Sequence, residues 1–201
     1  RHTGTALIIV DDAGENMITV LPGANSRLSS TALEQAGIAE GDYLLLQLET
    51  PLDGVLGAAK LAKKAGAKLV LNLAPFMAFD PALLETIDVL AVNETELQGV
   101  LDMLDAPKNS EAEAVAWLAQ KFNFIVVATL GARGAILRGE LRASTPGVPA
   151  DVIDATGAGD AFFGVLVARL AGSDFYGASL AAALPEAARE ASRATERWGA
   201  L

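Results

Sequence analysis

The sequence predicts an α/β fold in which a mainly parallel sheet lies between layers of helices, with a small β hairpin in front of it. Uninterrupted apolar strand segments alternate with amphipathic helical segments from residue 43 to residue 130, a pattern typical of a parallel sheet covered on both faces. The first 25 residues instead contain two short apolar segments around a polar turn. We therefore expect two parts, residues 1–25 and residues 26–201.

Residues 5–25, TALIIVDDAGENMITVLPGAN, are expected to form the hairpin. Two runs of apolar residues flank a turn rich in Asp, Gly and Asn, the usual composition of a connection between antiparallel strands. Two strands alone have unpaired edges and no second layer to cover their side chains, so we expect exposed apolar residues here. These are Leu7, Ile8, Ile9 and Val20.

From residue 43 onward, strand and helix segments follow one another regularly. YLLLQL, AKLVLNL, IDVLAV and FIVVATL are largely apolar runs of strand length, whereas LDGVLGAAKLAKKAG has helical spacing and ends on Gly66, a common helix terminator. The expected strands are 43–48, 67–73, 87–92 and 124–130, and the expected helices are 52–66, 94–104 and 110–121.

The last third is expected to begin with a second hairpin and to end in helices. GAILRGELRAST, residues 134–145, has two short strand-like runs around a Gly-Glu turn. The chain after Gly157 is rich in Ala and Leu, both strong helix formers, so we expect it to be helical.

Composition excludes several kinds of site and partner. Fifteen basic and 25 acidic residues give a formal net charge of −10, which argues against nucleic acid or an anionic membrane as the main partner. A chain without cysteine forms no disulfide or thiolate zinc site, so we expect a cytoplasmic location. The single histidine, His2, stands in the polar amino-terminal segment, so no histidine is left for a Ser-His-Asp triad. No apolar run reaches the length of a membrane span.

Polar or glycine residues follow the expected parallel strands, at the edge where open sheets of this kind bind ligands. Glu49, Asn93 and Gly131 each come directly after a strand, and Asn72 stands late in its strand. An ordinary structural explanation is also available, because Asn93 can be a helix N-cap with Glu96 completing a capping box. The spacing leaves both explanations open.

DATGAGDAFFG, residues 154–164, combines a glycine-rich turn with an acidic residue at the start of an apolar helix. The backbone N–H groups of such a turn and the positive end of the helix favour an anion. Asp160 would then lie beside that anion, as a general base next to a transferring phosphoryl group does. Alternatively, Asp160 only complements the helix dipole, and the motif alone leaves the two hypotheses equal.

Two other phosphate-binding motifs are absent from the sequence. No string matches the P-loop pattern G-x-x-x-x-G-K-[ST]. A dinucleotide-binding fingerprint would need glycine at position 162, where Phe162 stands, so hydride transfer is weakly supported.

These stretches together resemble the ribokinase-like (PfkB) carbohydrate kinases. DATGAGDAF is similar to the family signature D-T-x-G-A-G-D, and LLLQLETP, LNLAP, VNETE and TLGARGA follow in the family's order over nearly the whole chain. The resemblance implies that residues 1–25 are part of a small β lid and that residues 26–201 form an α/β nucleotide- and phosphate-binding domain. It also implies ATP-dependent phosphoryl transfer to the primary hydroxyl of a sugar, foremost D-ribose to ribose 5-phosphate.

The resemblance implies roles for individual residues as well. Asp160 matches the catalytic base at the sugar hydroxyl, and Glu49 matches a second position near the sugar. The implied anion hole is Gly157, Ala158 and Gly159, and the implied nucleotide-binding residues are Asn93, Thr129 and Gly131. Glu96 matches a residue that holds Mg²⁺ through water, and Asp154 and Thr156 match a monovalent-cation site for K⁺.

Two features depart from the family pattern. The family's amino-terminal region, which carries most sugar contacts, and its final helix have no counterpart here, so we expect a fragment that is inactive alone. Arg189, Glu190 and Arg193 stand where the family has an alanine-rich helix against adenine, and charged side chains there must face water or find partners.

Several alternatives to a ribose kinase stay open at this point. The substrate could be another pentose, a ketohexose or a nucleoside, or the chain could be a non-catalytic nucleotide-binding remnant. The partners that the resemblance implies are a small sugar, ATP, Mg²⁺ and K⁺, with a homodimer formed through the lid.

Overall fold

The computed structural model of the chain describes residues 2–10, 16–107, 110–171 and 177–199. The strands are β1 Thr5–Val10, β2 Asn16–Leu21, β3 Tyr43–Leu46, β4 Lys68–Asn72, β5 Val89–Val92, β6 Ile125–Thr129, β7 Ala135–Arg138 and β8 Arg142–Thr145. The helices are α1 Ser30–Glu34, α2 Leu52–Ala65, α3 Glu94–Met103, α4 Glu111–Phe122, α5 Ala158–Ala171 and α6 Gly177–Thr195. Short 3₁₀ helices lie at Gly23–Arg27, Pro81–Thr86 and Gly131–Arg133.

A six-stranded sheet in the order β3-β4-β5-β6-β7-β8 forms the centre of the fold. Strands β3 to β6 are parallel, and β7 and β8 add as an antiparallel hairpin. The expected mainly parallel sheet between helices is therefore confirmed. The four parallel strands share one direction, so their carboxyl ends meet at one edge of the sheet.

Each face of this sheet contributes to a separate core, because successive side chains of a strand point to opposite faces. Leu71 and Leu90 pack with apolar residues of α2, α3 and α4 on one face. Val70 and Val127 pack with residues of α5 and α6 on the other. Both cores are fully buried at these strands, which explains why the strand segments are apolar without alternation.

The helices begin and end close to the expected positions. Helix α2 ends at Gly66, which adopts a φ of 75° in the left-handed region that favours glycine. The expectation of helix throughout the chain after Gly157 needs one correction: α6 ends at Thr195, and the segment 196–199 turns away from it. Residues 172–176 lie outside the described residues. Among the helices described, none combines the length and the apolar character that crossing a membrane requires.

Strands β1 and β2 pair with each other in a separate antiparallel sheet. Leu7 and Ile9 are 62% and 56% exposed, and Ile8, on the opposite face, is 40% exposed. Val20 on the second strand is 57% exposed. Both faces of the hairpin are therefore exposed to solvent, as expected. Two strands with no covered face are only marginally stable by themselves.

Candidate active site

The carboxyl edge of the parallel strands gathers several of the candidate residues. Glu49 follows β3, Asn93 follows β5 and Gly131 follows β6, so all three lie at the same edge. The first turn of α5 reaches this edge too, because Gln47 Nε2 donates a hydrogen bond of 3.1 Å to Asp160 Oδ1. The glycine-rich motif and the strand ends therefore meet, although they are far apart in sequence.

The start of α5 leaves some of its backbone donors open. The N–H groups of Gly157 and Gly159 have no acceptor in the described chain, whereas the Ala158 N–H donates to the Ala155 carbonyl at 3.3 Å. Gly157 has a φ of 81°, a conformation that glycine adopts without strain, and its carbonyl accepts from the N–H of Ala161 at 2.9 Å. A Cβ placed on Gly159 would meet no atom outside its own turn within 4 Å, so the space beside this turn is free of other protein atoms. Open donors at a helix N-terminus, with room before them, fit an anion.

Asp160 is an exposed carboxylate beside a cavity of about 340 Å³. Glu190, Arg193 and Arg197 also line this cavity, and Arg193 Nη1 pairs with Glu190 Oε1 at 2.9 Å. The charged residues expected on the last helix thus find partners or face water, with Arg189 exposed. A larger cavity of about 770 Å³ shares no lining residue with this one and lies at the amino ends of β4 and β5.

Asn93 and Glu96 form the capping box that the sequence allowed. Asn93 Oδ1 accepts from the Glu96 N–H, and Glu96 Oε2 accepts from the Asn93 N–H, both at 2.8 Å. Glu96 is only 7% exposed, and this burial raises the pKa of its carboxyl group, while the hydrogen bond from the Asn93 backbone opposes the rise. Capping leaves Glu96 Oε1 without a hydrogen bond to the described chain.

The loop after β6 is tied to the starts of two helices. Thr129 ends β6, with its hydroxyl 3.5 Å from the Val92 carbonyl, and Gly131 has a φ of 53°. Arg133 pairs with Glu94 in the first turn of α3 and with Glu111 in the first turn of α4. This ion-pair cluster holds the Thr129–Gly131 turn against the helix that Asn93 caps.

Asp154 joins the loop before α5 to the end of the described chain. Its Oδ1 accepts from the Thr156 N–H at 2.9 Å, and its Oδ2 accepts from the Gly199 N–H at 3.0 Å. The Thr156 hydroxyl lies beside the carboxylate and, together with these two N–H groups, lowers the pKa of Asp154. The stability that these contacts give is present above the ordinary pKa of an aspartate and is lost as the pH falls through the lowered value.

The sequence model of the pfkB family of carbohydrate kinases matches residues 1–200. The chain belongs to this family. The resemblance found in the motifs is thereby confirmed.

Individual relatives of this pfkB-family chain are ribokinases. It is 42% identical over 172 residues to a ribokinase of Haemophilus influenzae, a match that covers 84% of the chain and 56% of the relative. A ribokinase structure from Giardia lamblia superimposes with a TM-score of 0.84 at 26% identity, covering 98% of the chain and 68% of that structure. The Arabidopsis thaliana ribokinase complexed with ribose and ATP gives a TM-score of 0.77 at 31% identity, covering 98% and 64%. The chain thus spans little more than half the length of the Haemophilus relative.

Sequence reasoning missed two residues of this edge in the pfkB-family chain, Gln47 and Arg133. Gln47 contacts Asp160, and Arg133 joins the two helix starts. Asn72, at the end of β4, is 5% exposed, and its Oδ1 has no hydrogen-bond partner in the described chain. Gln47 could have been found in the same way as Asn72, because it is a polar exception near the end of an apolar run.

Proposed function

We propose that this chain forms the nucleotide- and phosphate-binding part of an ATP-dependent kinase that converts D-ribose to ribose 5-phosphate. The observation that carries the proposal is the meeting of Asp160, the open first turn of α5 and the Asn93 and Gly131 strand ends at one sheet edge. The identity to a ribokinase and the likeness to a ribokinase complexed with ribose and ATP support the choice of sugar and nucleotide.

In the proposed reaction, an Asp160 carboxylate oxygen takes the proton of the primary sugar hydroxyl. The hydroxyl oxygen forms a bond to the γ-phosphorus of ATP while the bond from that phosphorus to the ADP oxygen breaks. The backbone of Gly157, Ala158 and Gly159 and the positive end of α5 stabilise the negative charge on the phosphoryl group in transit. Glu49, exposed and two residues beyond Gln47, is proposed to contact the sugar.

The residues present suit the two cations that the family implies. Glu96 supplies one buried carboxylate with a free oxygen, and the unpartnered Asn72 Oδ1 is a second acceptor near the same edge. Mg²⁺ keeps several of its waters, so one carboxylate that binds through water is sufficient. When bound, Mg²⁺ neutralises charge on the nucleotide phosphates. For K⁺, the donors are Asp154 and Thr156, whose Oγ1 is buried without a hydrogen bond of good geometry.

A substrate panel tests the proposed activity. ADP formation is measured with D-ribose, D-arabinose, D-fructose and adenosine, using the full-length enzyme that contains this sequence. We expect the highest kcat/KM for D-ribose, and negligible turnover by the 201-residue chain alone, because it covers only 56% of the Haemophilus ribokinase. A higher kcat/KM for fructose or adenosine than for ribose would identify that compound, and not ribose, as the substrate. ATP binding without turnover of any sugar would identify a nucleotide-binding remnant.

We further propose that residues 1–25 are part of a lid through which the full-length protein forms a homodimer. The exposed apolar faces of β1 and β2 support this, because a hairpin of this kind gains stability only when another surface covers it. The purified chain is expected to self-associate at micromolar concentration. A monomer in sedimentation equilibrium over a hundredfold concentration range would contradict the proposal. The reaction is proposed to be cytoplasmic, since the cysteine-free chain suits a reducing compartment that supplies ATP.

A further inference from the structure

The side chain of Asp160 is fixed by one contact. Gln47 Nε2 donates to its Oδ1 at 3.1 Å across 113 residues of sequence. Within the described part of the chain, the Asp160 carboxylate has no second hydrogen bond, so its Oδ2 remains open. An ionised carboxylate only accepts hydrogen bonds, so the Gln47 amide must present its NH₂ group to it.

Both partners of this contact stand on well-anchored backbone. Gln47 directly follows β3, and the next residue, Leu48, is 2% exposed and donates its N–H to the Ala74 carbonyl at 3.0 Å. Asp160 lies in the first turn of α5, which Phe162 and Phe163 fix in the core beneath the sheet. Two rigid elements therefore set the distance between the amide and the carboxylate.

An exposed aspartate without such a contact would exchange between side-chain rotamers. Proton transfer requires the accepting oxygen within about 2.6–3.2 Å of the hydroxyl, so the rotamer matters directly. The Gln47 amide, bound to one oxygen, selects a rotamer in which the other oxygen can receive the proton.

We propose that Gln47 is a positioning residue that orients Asp160 for proton transfer. The inference rests on the proposed function, because it needs Asp160 as the base. Gln47 acts only through the orientation of Asp160. Its removal should therefore lower kcat, and the KM for ATP should stay unchanged.

The test is a double-mutant cycle in the full-length enzyme. Gln47→Met keeps the length of the side chain and removes the donor, and we expect kcat to fall about ten- to hundredfold, the scale of a small misplacement of reacting groups. In an Asp160→Asn background, Gln47→Met should cause no further loss, because there is no base left to orient. Gln47→Leu, which also removes the donor and adds no charge, should lower kcat to a similar extent.

A matched control is available on α3. Gln98 Nε2 donates to Asp102 Oδ1 at 2.8 Å, a similar Gln-Asp contact, and Gln98→Met should leave kcat unchanged. If Gln47→Met keeps the wild-type kcat while Asp160→Asn is inactive, the positioning role is overturned and the proposed function stands. If Gln47→Met lowers kcat by the same factor in the wild-type and the Asp160→Asn backgrounds, its effect is merely structural, and the positioning role is also overturned. If Gln47→Met does not fold, Gln47→Leu decides in the same way. Wild-type kcat for Asp160→Asn would instead refute the proposed function.

Discussion

Asp160→Asn is expected to lower kcat by about two to four orders of magnitude, the range for loss of a general base. Asparagine keeps the size of the side chain and still accepts a hydrogen bond from Gln47, but it cannot take the proton of the sugar hydroxyl. Nucleotide affinity should stay level or rise slightly, because a negative charge beside the phosphate site is removed. Steady-state kinetics and a nucleotide titration on the same full-length variant measure both quantities.

The competing explanation is that Asp160 only complements the dipole of α5. In that case the substitution would cost about 1 kcal/mol of stability or less and leave turnover nearly intact. Asp53→Asn is the matched control, since Asp53 is also an acidic residue in the first turn of a helix, α2. A lower melting temperature with near-wild-type kcat in both variants would reject the catalytic role of Asp160.

Gly159→Ala is expected to lower kcat by about two to three orders of magnitude, the scale of one lost oxyanion-hole contact, because the methyl group should keep the phosphoryl group away from the backbone N–H groups. Outside its own turn the new methyl group meets no protein atom within 4 Å, so it enters open space beside the first turn of α5, where the phosphoryl group is proposed to bind. Stability should not fall, because alanine is favoured over glycine inside a helix by up to about 1 kcal/mol. Turnover and melting temperature are therefore expected to change in opposite senses.

Gly164→Ala provides the control for this change. Gly164 lies on the same helix, and a Cβ there also meets no atom within 4 Å. It should raise or keep the melting temperature and leave kcat at the wild-type level. Equal kcat values for the Gly159 and Gly164 variants would contradict the proposal that the first turn of α5 forms the anion hole.

Local sequence signals were sufficient for most elements of the fold. Helix α2 was placed from its apolar spacing and Gly66, and the capping box of α3 from the spacing of Asn93 and Glu96. These features depend on interactions within four residues, which a sequence displays directly. The short 3₁₀ helix at 81–86 was not predicted, because six residues are too few to show a repeating pattern.

The sequence by itself determined the alternating elements, the mainly parallel sheet, the glycine-rich turn before Asp160 and the family. Each of these depends on periodicity or on a contiguous motif. Only the tertiary structure decided that Gln47 holds Asp160, that Arg133 links Glu94 with Glu111, and that Asp154 reaches Gly199. These contacts join residues 22 to 113 positions apart, and their partners are fixed by sheet order and helix packing, which no local pattern encodes.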